Sequence, residues 1–518
     1  MKTRAAVLLP LALGLWGCEL GPDYMRPSAI EPGDYKENRG WMPASPQQAA
    51  GWESWWAIYN DPILDGLEKQ VDISNQNLRS AEAAYRAARA EVGIERGALL
   101  PALSANASVR QSGGGSRNTV ITSTGTSDTT GTGTPVIASS GGSRTTYQTS
   151  LSGSWDIDVW GRIRRTVEGG VATAQASAAD IAAARLSAQS ELAVDYFQLR
   201  AADEQAQLLV SIIQDFETAL QIARNRVQVG ITTQADVFAA QTQIDNAQAQ
   251  LVNLQLTRAQ LEHAIATLIG KPASDVAIAK APLPTIIPVV PTGVPSTLLE
   301  RRPDIAASEY TMASANAQIG VAIAAWYPDL TLTGSYGFAS SSLGSLFSAP
   351  NSVWSLGPSL AELVFDGGAR EAQTQQARAR YEQSVAIYRQ TVLTAFQQVE
   401  DQLAALRVLE QEAAVENQTV SDARQSEQLA LNQYRAGTAD FTTVITAQTA
   451  RLNAESSALS VLDQWLAASI NLIVALGGGW DNSRLPQPSF FYRLPEMTTN
   501  DEPPPQDAVP APAPANAR

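Results

Sequence analysis

Residues 147–165 read YQTSLSGSWDIDVWGRIRR, and the change of period inside this stretch decides the fold. Tyr147, Leu151, Gly153, Trp155 and Ile157 alternate with Gln148, Ser150, Ser152, Ser154 and Asp156. Alternation over about ten residues is the pattern of a barrel strand, apolar toward lipid and polar toward a lumen. Past Trp160 and Gly161 the pattern changes. From Arg162 to Lys271 there is no proline, glycine is sparse, and alanine, glutamine, glutamate and leucine dominate. That composition predicts helix, interrupted by a turn near Gly230. A helix over about 165–229 would be about 100 Å long, too long for an ordinary globular domain.

The same grammar occurs twice. Glu82, Ala88, Gly93, Pro101 and Leu103 match Glu309, Ala315, Gly320, Pro328 and Leu330 at a constant offset of 227. Ala223, Asn225, Gly230, Val237, Gln241, Thr242 and Gly270 match Ala430, Asn432, Gly437, Val444, Gln448, Thr449 and Gly477 at an offset of 207. One large unit has therefore been duplicated. Each unit predicts two short helices laid end to end beside a long one. These are 73–98 and 234–269 beside the long helix in the first unit, and 303–326 and 439–475 beside 368–435 in the second. Each unit also carries two alternating strands: Leu103 to Val109 joins the stretch above, and Leu330 to Phe338 joins Trp354 to Leu360. The connector 112–143 is rich in Gly, Ser and Thr, as a loop outside a membrane would be.

Four strands per chain cannot close a membrane barrel, because an open edge in lipid leaves backbone groups unpaired. Chains must share one barrel. Two would give about eight strands and a filled interior, whereas three would give about twelve strands and a lumen. The expected fold is thus mixed: a twelve-strand transmembrane β-barrel built by a trimer and continued by long periplasmic helices.

The chain start reads as a secretory signal. Lys2 and Arg4 precede the apolar run Ala5 to Gly17, which is too short to span a bilayer as a helix, and Cys18, the only cysteine, follows. The expected organisation is a signal at 1–17, a lipidated Pro/Gly-rich tether at 18–50, repeats at 51–285 and 286–485, and a disordered Pro-rich tail at 486–518. The net charge of −15 excludes a basic phosphate-binding surface, so no nucleic-acid partner is expected. His263, the only histidine, lies among Leu261, Ala264 and Leu268 and suits a packing or surface role. No nucleophile elbow, phosphate loop or zinc spacing occurs, so neither catalysis, metal nor cofactor is expected. Trp55 and Trp56, just before Asp61 and Pro62 at a helix start, read as core anchors.

Several stretches together resemble the outer-membrane efflux proteins of the TolC/OprM kind, especially the NodT-like lipoprotein branch. They are Leu15-Trp16-Gly17-Cys18 with Gly21-Pro22-Asp23-Tyr24, and Trp55-Trp56 with Asn60-Asp61-Pro62. Arg301-Arg302-Pro303-Asp304-Ile305 with Trp326-Tyr327-Pro328 is the most diagnostic. Trp160-Gly161-Arg162, Phe365-Asp366-Gly367-Gly368 and Tyr434-Arg435-Ala436-Gly437 complete the set. The resemblance implies a homotrimer in the outer membrane with a twelve-helix tube through the periplasm. It also implies acylation of Cys18 into outer-membrane lipid, and passive conduction of drugs or other small molecules from an inner-membrane pump and a periplasmic adaptor. Gly230 and Gly437, with Arg226 and Arg435, would be tip turns where the adaptor docks. Thr443 and Thr446 fall where relatives carry entrance carboxylates, which leaves Asp236, helped by Asp440, as the expected charge filter; the other reading is that Asp236 serves only the helix start. Other function classes are a type I secretion duct, which shares the fold, and a lipid-anchored structural coiled coil, which leaves the strands unexplained.

Overall fold

The structure, a computed structural model, describes residues 19–28, 35–37, 52–112, 144–288 and 298–492. The signal, Cys18, most of the connector and the tail from residue 493 lie outside the described residues. After a short 3-10 helix at Trp52–Tyr59, the elements are α1 (Pro62–Ser74), α2 (Gln76–Gly97), β1 (Ala102–Ser112) and β2 (Arg144–Asp156). Then come α3 (Arg162–Gln228), α4 (Gln234–Leu268), α5 (Pro303–Ala324), β3 (Asp329–Ser340), β4 (Ser352–Ala361), α6 (Ala369–Ala436) and α7 (Phe441–Ala475). The long helices hold 67 and 68 residues, about 100 Å each at 1.5 Å per residue.

The strands form one antiparallel meander in the order β1-β2-β3-β4. Its register places the apolar residues on one face: Leu103 opposes Gly153, Leu151 opposes Tyr336, and Tyr336 opposes Trp354. These side chains are exposed, 71% for Leu103 and 75% for Trp354, so most of the face has no cover among the described residues. The other face is a hydroxyl ladder, with Ser104 bonded to Ser152 at 2.9 Å, Ser335 to Ser355 at 2.8 Å and Thr331 to Asp156 at 3.0 Å. Among the described residues, β1 and β4 each pair on one side only. The sheet is a fragment of a barrel wall.

Below it the helices form a layer in the order α2/α4, α3, α5/α7, α6, with the short helices stacked end to end. Asn75 Nδ2 donates to the Leu268 carbonyl at 2.7 Å and Arg302 Nη1 to the Ala475 carbonyl at 3.0 Å, so the same junction recurs in both repeats. Gly270 and Gly477 take positive φ there, and a Cβ on either would overlap the carbonyl oxygen of Ser74 or Arg301. Trp55, Leu64, Tyr196, Phe197, Tyr388 and Ile470 bury the main core around these junctions. Trp55 and Trp56 are core anchors, 1% and 4% exposed, and Asp61 caps α1 by accepting from Ile63 and Leu64. Helix α7 has an 18-residue window with mean hydropathy 1.5, long enough to span a bilayer, but it is a core helix here: Leu466, Ile470 and Ile473 are fully buried.

Three expectations change. The helix expected over 73–98 is broken at Asn75, whose extended backbone lets its side chain accept from Leu78 N while donating to Leu268. The expected tether is docked where described: Arg165 Nε donates to Leu20 O at 3.1 Å, Asn316 to Pro22 O at 2.9 Å, and Arg26 to the Tyr388 hydroxyl at 3.1 Å. The segment from 486 begins as a docked strap, with Pro486 O accepting from Gln175 and Phe491 buried against Val92, Ile163 and Val167.

Candidate functional site

The far ends of the two helical hairpins lie about 100 Å from the sheet along straight helices. At the first tip Gly230 takes φ 73°, donating to Val227 O at 3.0 Å, and Ile231 donates to Arg226 O at 2.9 Å. At the second, Gly437 takes φ 80°, and Thr438 N donates to Gln433 O at 3.0 Å. Positive φ closes both helices in the αL manner that glycine permits.

The tips are joined to each other. Arg226 Nη1 donates to the Tyr434 carbonyl, and its guanidinium lies 4.4 Å from the Tyr434 ring centroid. Tyr434 in turn packs on Phe441 at 5.2 Å. Burial, and then the nearby Asp236 carboxylate, push the Tyr434 hydroxyl above its ordinary pKa. Asp236 is half-buried and accepts from the Thr232 hydroxyl. It therefore faces its own turn and the neighbouring hairpin. Asp440 is the exposed acid: it caps α7, accepting from Thr443 N at 3.0 Å and Thr443 Oγ1 at 2.6 Å, bonds that hold its pKa below the usual value. Thr443, Thr446 and Arg435 are exposed beside it.

An open-edged, four-stranded wall continued by duplicated helices of this length is the part to compare with known proteins. The profile described as "Outer membrane efflux protein" matches residues 67–271 and 294–478. The chain belongs to the outer membrane efflux protein family. It is 30% identical over 470 residues to the probable efflux pump outer membrane protein TtgC of Pseudomonas putida, covering 90% of this chain and 93% of that one. Among solved structures it superposes on the outer-membrane channel OprN with a TM-score of 0.80 at 28% identity, covering 89% of this chain and 100% of that one. The open state of the Neisseria gonorrhoeae MtrE outer membrane channel gives 0.74 at 27% identity, with 90% and 99% covered.

In this family member the most diagnostic sequence stretch acquires a physical role. Arg302 is 8% exposed; it forks onto Asp304 at 3.0 and 2.7 Å and caps the last carbonyl of α7, while Pro303 begins α5. His263 is exposed on α4. One cluster was not foreseen. Arg451 Nη1 meets Asp215 of α3 at 2.9 Å and Glu427 of α6 at 2.7 Å, and its Nε meets Glu455 at 3.1 Å. The duplication carried the signal, since the first-repeat equivalents of Arg451 and Glu427 are Ile244 and Leu220.

Proposed function

We propose that this chain is the outer-membrane exit duct of a tripartite efflux system, conducting small molecules passively from an inner-membrane pump and periplasmic adaptor to the outside. The observation that carries this is the sheet: four strands, one apolar exposed face, one hydroxyl-lined face and two unpaired edges, mounted on helices of about 100 Å. Three chains complete twelve strands around a lumen. The chain has no catalytic role in this reading.

The tip turns Gly230 and Gly437, with Arg226 and Arg435, are the adaptor-facing entrance. Exposed Asp440, Thr443 and Thr446 line its mouth, and Asp236 acts mainly by steadying the Arg226–Tyr434 link between hairpins. Cys18 is the lipid anchor. Supporting this, Glu19 lies at the barrel–helix boundary, where Leu20 N donates to Trp160 O at 3.3 Å and Glu19 closes on Gly161. An acyl group on Cys18 would attach one residue before this boundary. The test is conductance of the purified protein in planar bilayers, with mass spectrometry of its N-terminus. Discrete channel steps are expected, along with an acylated Cys18. A silent bilayer across preparations that retain the oligomer would overturn the duct.

A further inference from the structure

Just below the sheet, α3, α5 and α6 enclose a groove of about 620 Å³, within the range of small-molecule sites. Arg162 and Arg380 stand on its flanks, Gln318, Gln373 and Gln376 supply primary amides, and alanines make its floor. No carboxylate lines it, although the chain carries 51 acidic residues against 36 basic ones. Among the described residues Arg380 is exposed and makes no ion pair, and Arg162 meets only Asp329, at 3.8 Å with both side chains solvated.

Two observations place this groove on the lumen side. Asp329 shares its strand face with Thr331, which is bonded to Asp156 on the polar face of the sheet, so Arg162 lies beneath that face. Helix α5 presents Glu309, Asn316 and Gly320 to the N-terminal leader, which the proposed lipid anchor at Cys18 would put on the outer side. Thr311, Ser314 and Gln318, which line the groove, fall on the opposite side of the helix at 3.6 residues per turn. Further down α3, by 29 residues or about 44 Å, a second cleft is lined by Glu191, Asp195 and Asp304 with Arg302. The two clefts thus differ in charge: three carboxylates and one arginine line the lower, two arginines and no carboxylate the upper.

We propose that the groove beneath the barrel is a recognition subsite for amphipathic organic anions passing through the duct. A carboxylate or sulfonate is held by the fork of Arg162 or of Arg380, and an apolar ring rests on the lining alanines. A guanidinium binds such oxyanions through paired, directional hydrogen bonds, and the flanking amides serve their remaining lone pairs. Three copies around the lumen would make the exit zone favour anions. This rests on the duct reading for its biological sense, but binding itself is measured without conduction.

The experiment follows the fluorine NMR line of 6-fluoro-1-naphthoate mixed with the detergent-solubilised full-length oligomer, using the matching fluoronaphthyl methanol to subtract partition into detergent. Wild type should broaden the naphthoate line selectively in 0.1 M KCl and lose that effect in 1 M, as the screening length falls from about 10 to about 3 Å. Arg162→Gln/Arg380→Gln should weaken apparent binding at least about fivefold, with oligomer mass and bilayer conductance steps retained. Arg162→Lys/Arg380→Lys should fall between, since charge remains without the fork. Equal broadening by wild type and the glutamine variant would overturn the proposal. So would a wild type that does not broaden the line, the result expected if a neighbouring chain fills the groove. Loss of conductance in every protein would count against the duct and not against the subsite.

Discussion

In the first repeat the carbonyl of Leu268 is met by the amide of Asn75; in the second, the matching carbonyl of Ala475 is met by the guanidinium of Arg302. The junction needs a donor at that point, and either side chain supplies it. Toward the tips the repeats diverge further. Ile244 and Leu220, 3% and 6% exposed, belong to the apolar core of the first hairpin. Their second-repeat equivalents, Arg451 and Glu427, form a charged cluster with Glu455 and Asp215. Duplication has kept the backbone geometry and exchanged the chemistry, which makes each repeat a control for the other.

The largest effect should come from breaking the charged side of this comparison. Arg451→Ala leaves Glu427, 8% exposed, without its counter-charge and Glu455, 7% exposed, with Arg424 alone, and removing one member of a buried pair costs about 3–5 kcal/mol. Thermal unfolding of the oligomer should show it. Arg451→Ile/Glu427→Leu, which copies the first repeat, should lose less than Arg451→Ala alone. An equal or greater loss would mean that the hairpins are not interchangeable.

Next in size are the junction glycines. Gly270→Ala and Gly477→Ala each force a Cβ onto a carbonyl oxygen at positive φ, at a cost of about 1–3 kcal/mol. The two losses should be similar, because each Cβ would lie equally close to the matching carbonyl oxygen. A clear inequality would show that one repeat relaxes where the other cannot.

A pH-dependent term separates the repeats again. Burial, and then Glu191, push Asp195 from 3.8 to about 6. A raised carboxyl penalises the folded state once the unfolded chain ionises, so the penalty grows from about pH 4 to about pH 6 and is constant above. Asp195→Asn should therefore gain melting temperature relative to wild type across that window, with no further gain above pH 6. The second-repeat equivalent is Gln402, which does not titrate.

The smallest effects are at the tips. Asp440→Ala removes an N-cap and should loosen the start of α7, read as faster amide exchange at Thr443. Asp236→Ala removes no cap bond and should leave exchange at the start of α4 unchanged, because Thr233 occupies that N-cap.

Much of this fold is legible in the sequence, for reasons visible in particular residues. The proline-free run from Arg162 fixes the long helix, observed at Arg162–Gln228, and the period-two residues around Leu151 and Tyr336 fix strands and facing. What escapes is long-range. Asn75 looks like an ordinary helical residue until Leu268 is beside it, and the Pro/Gly leader looks free until Arg165 reaches its carbonyls at Leu20 and Gly21. At the tip, Asp236 lies near Tyr434, some 200 residues away in sequence, so spacing from Gly230 alone leaves its role open.

The central claim is that strands from separate chains close one barrel, and inter-chain crosslinking of the two free edges tests it most directly. Asn106→Cys on the polar face of β1 would be combined in turn with cysteine at Val353, Ser355, Gly357 or Ser359 on the same face of β4, and oxidised in the outer membrane. The shared barrel predicts that at least one pairing yields covalent trimers as its largest product. No inter-chain product from any of the four, with the protein folded and inserted, would contradict it.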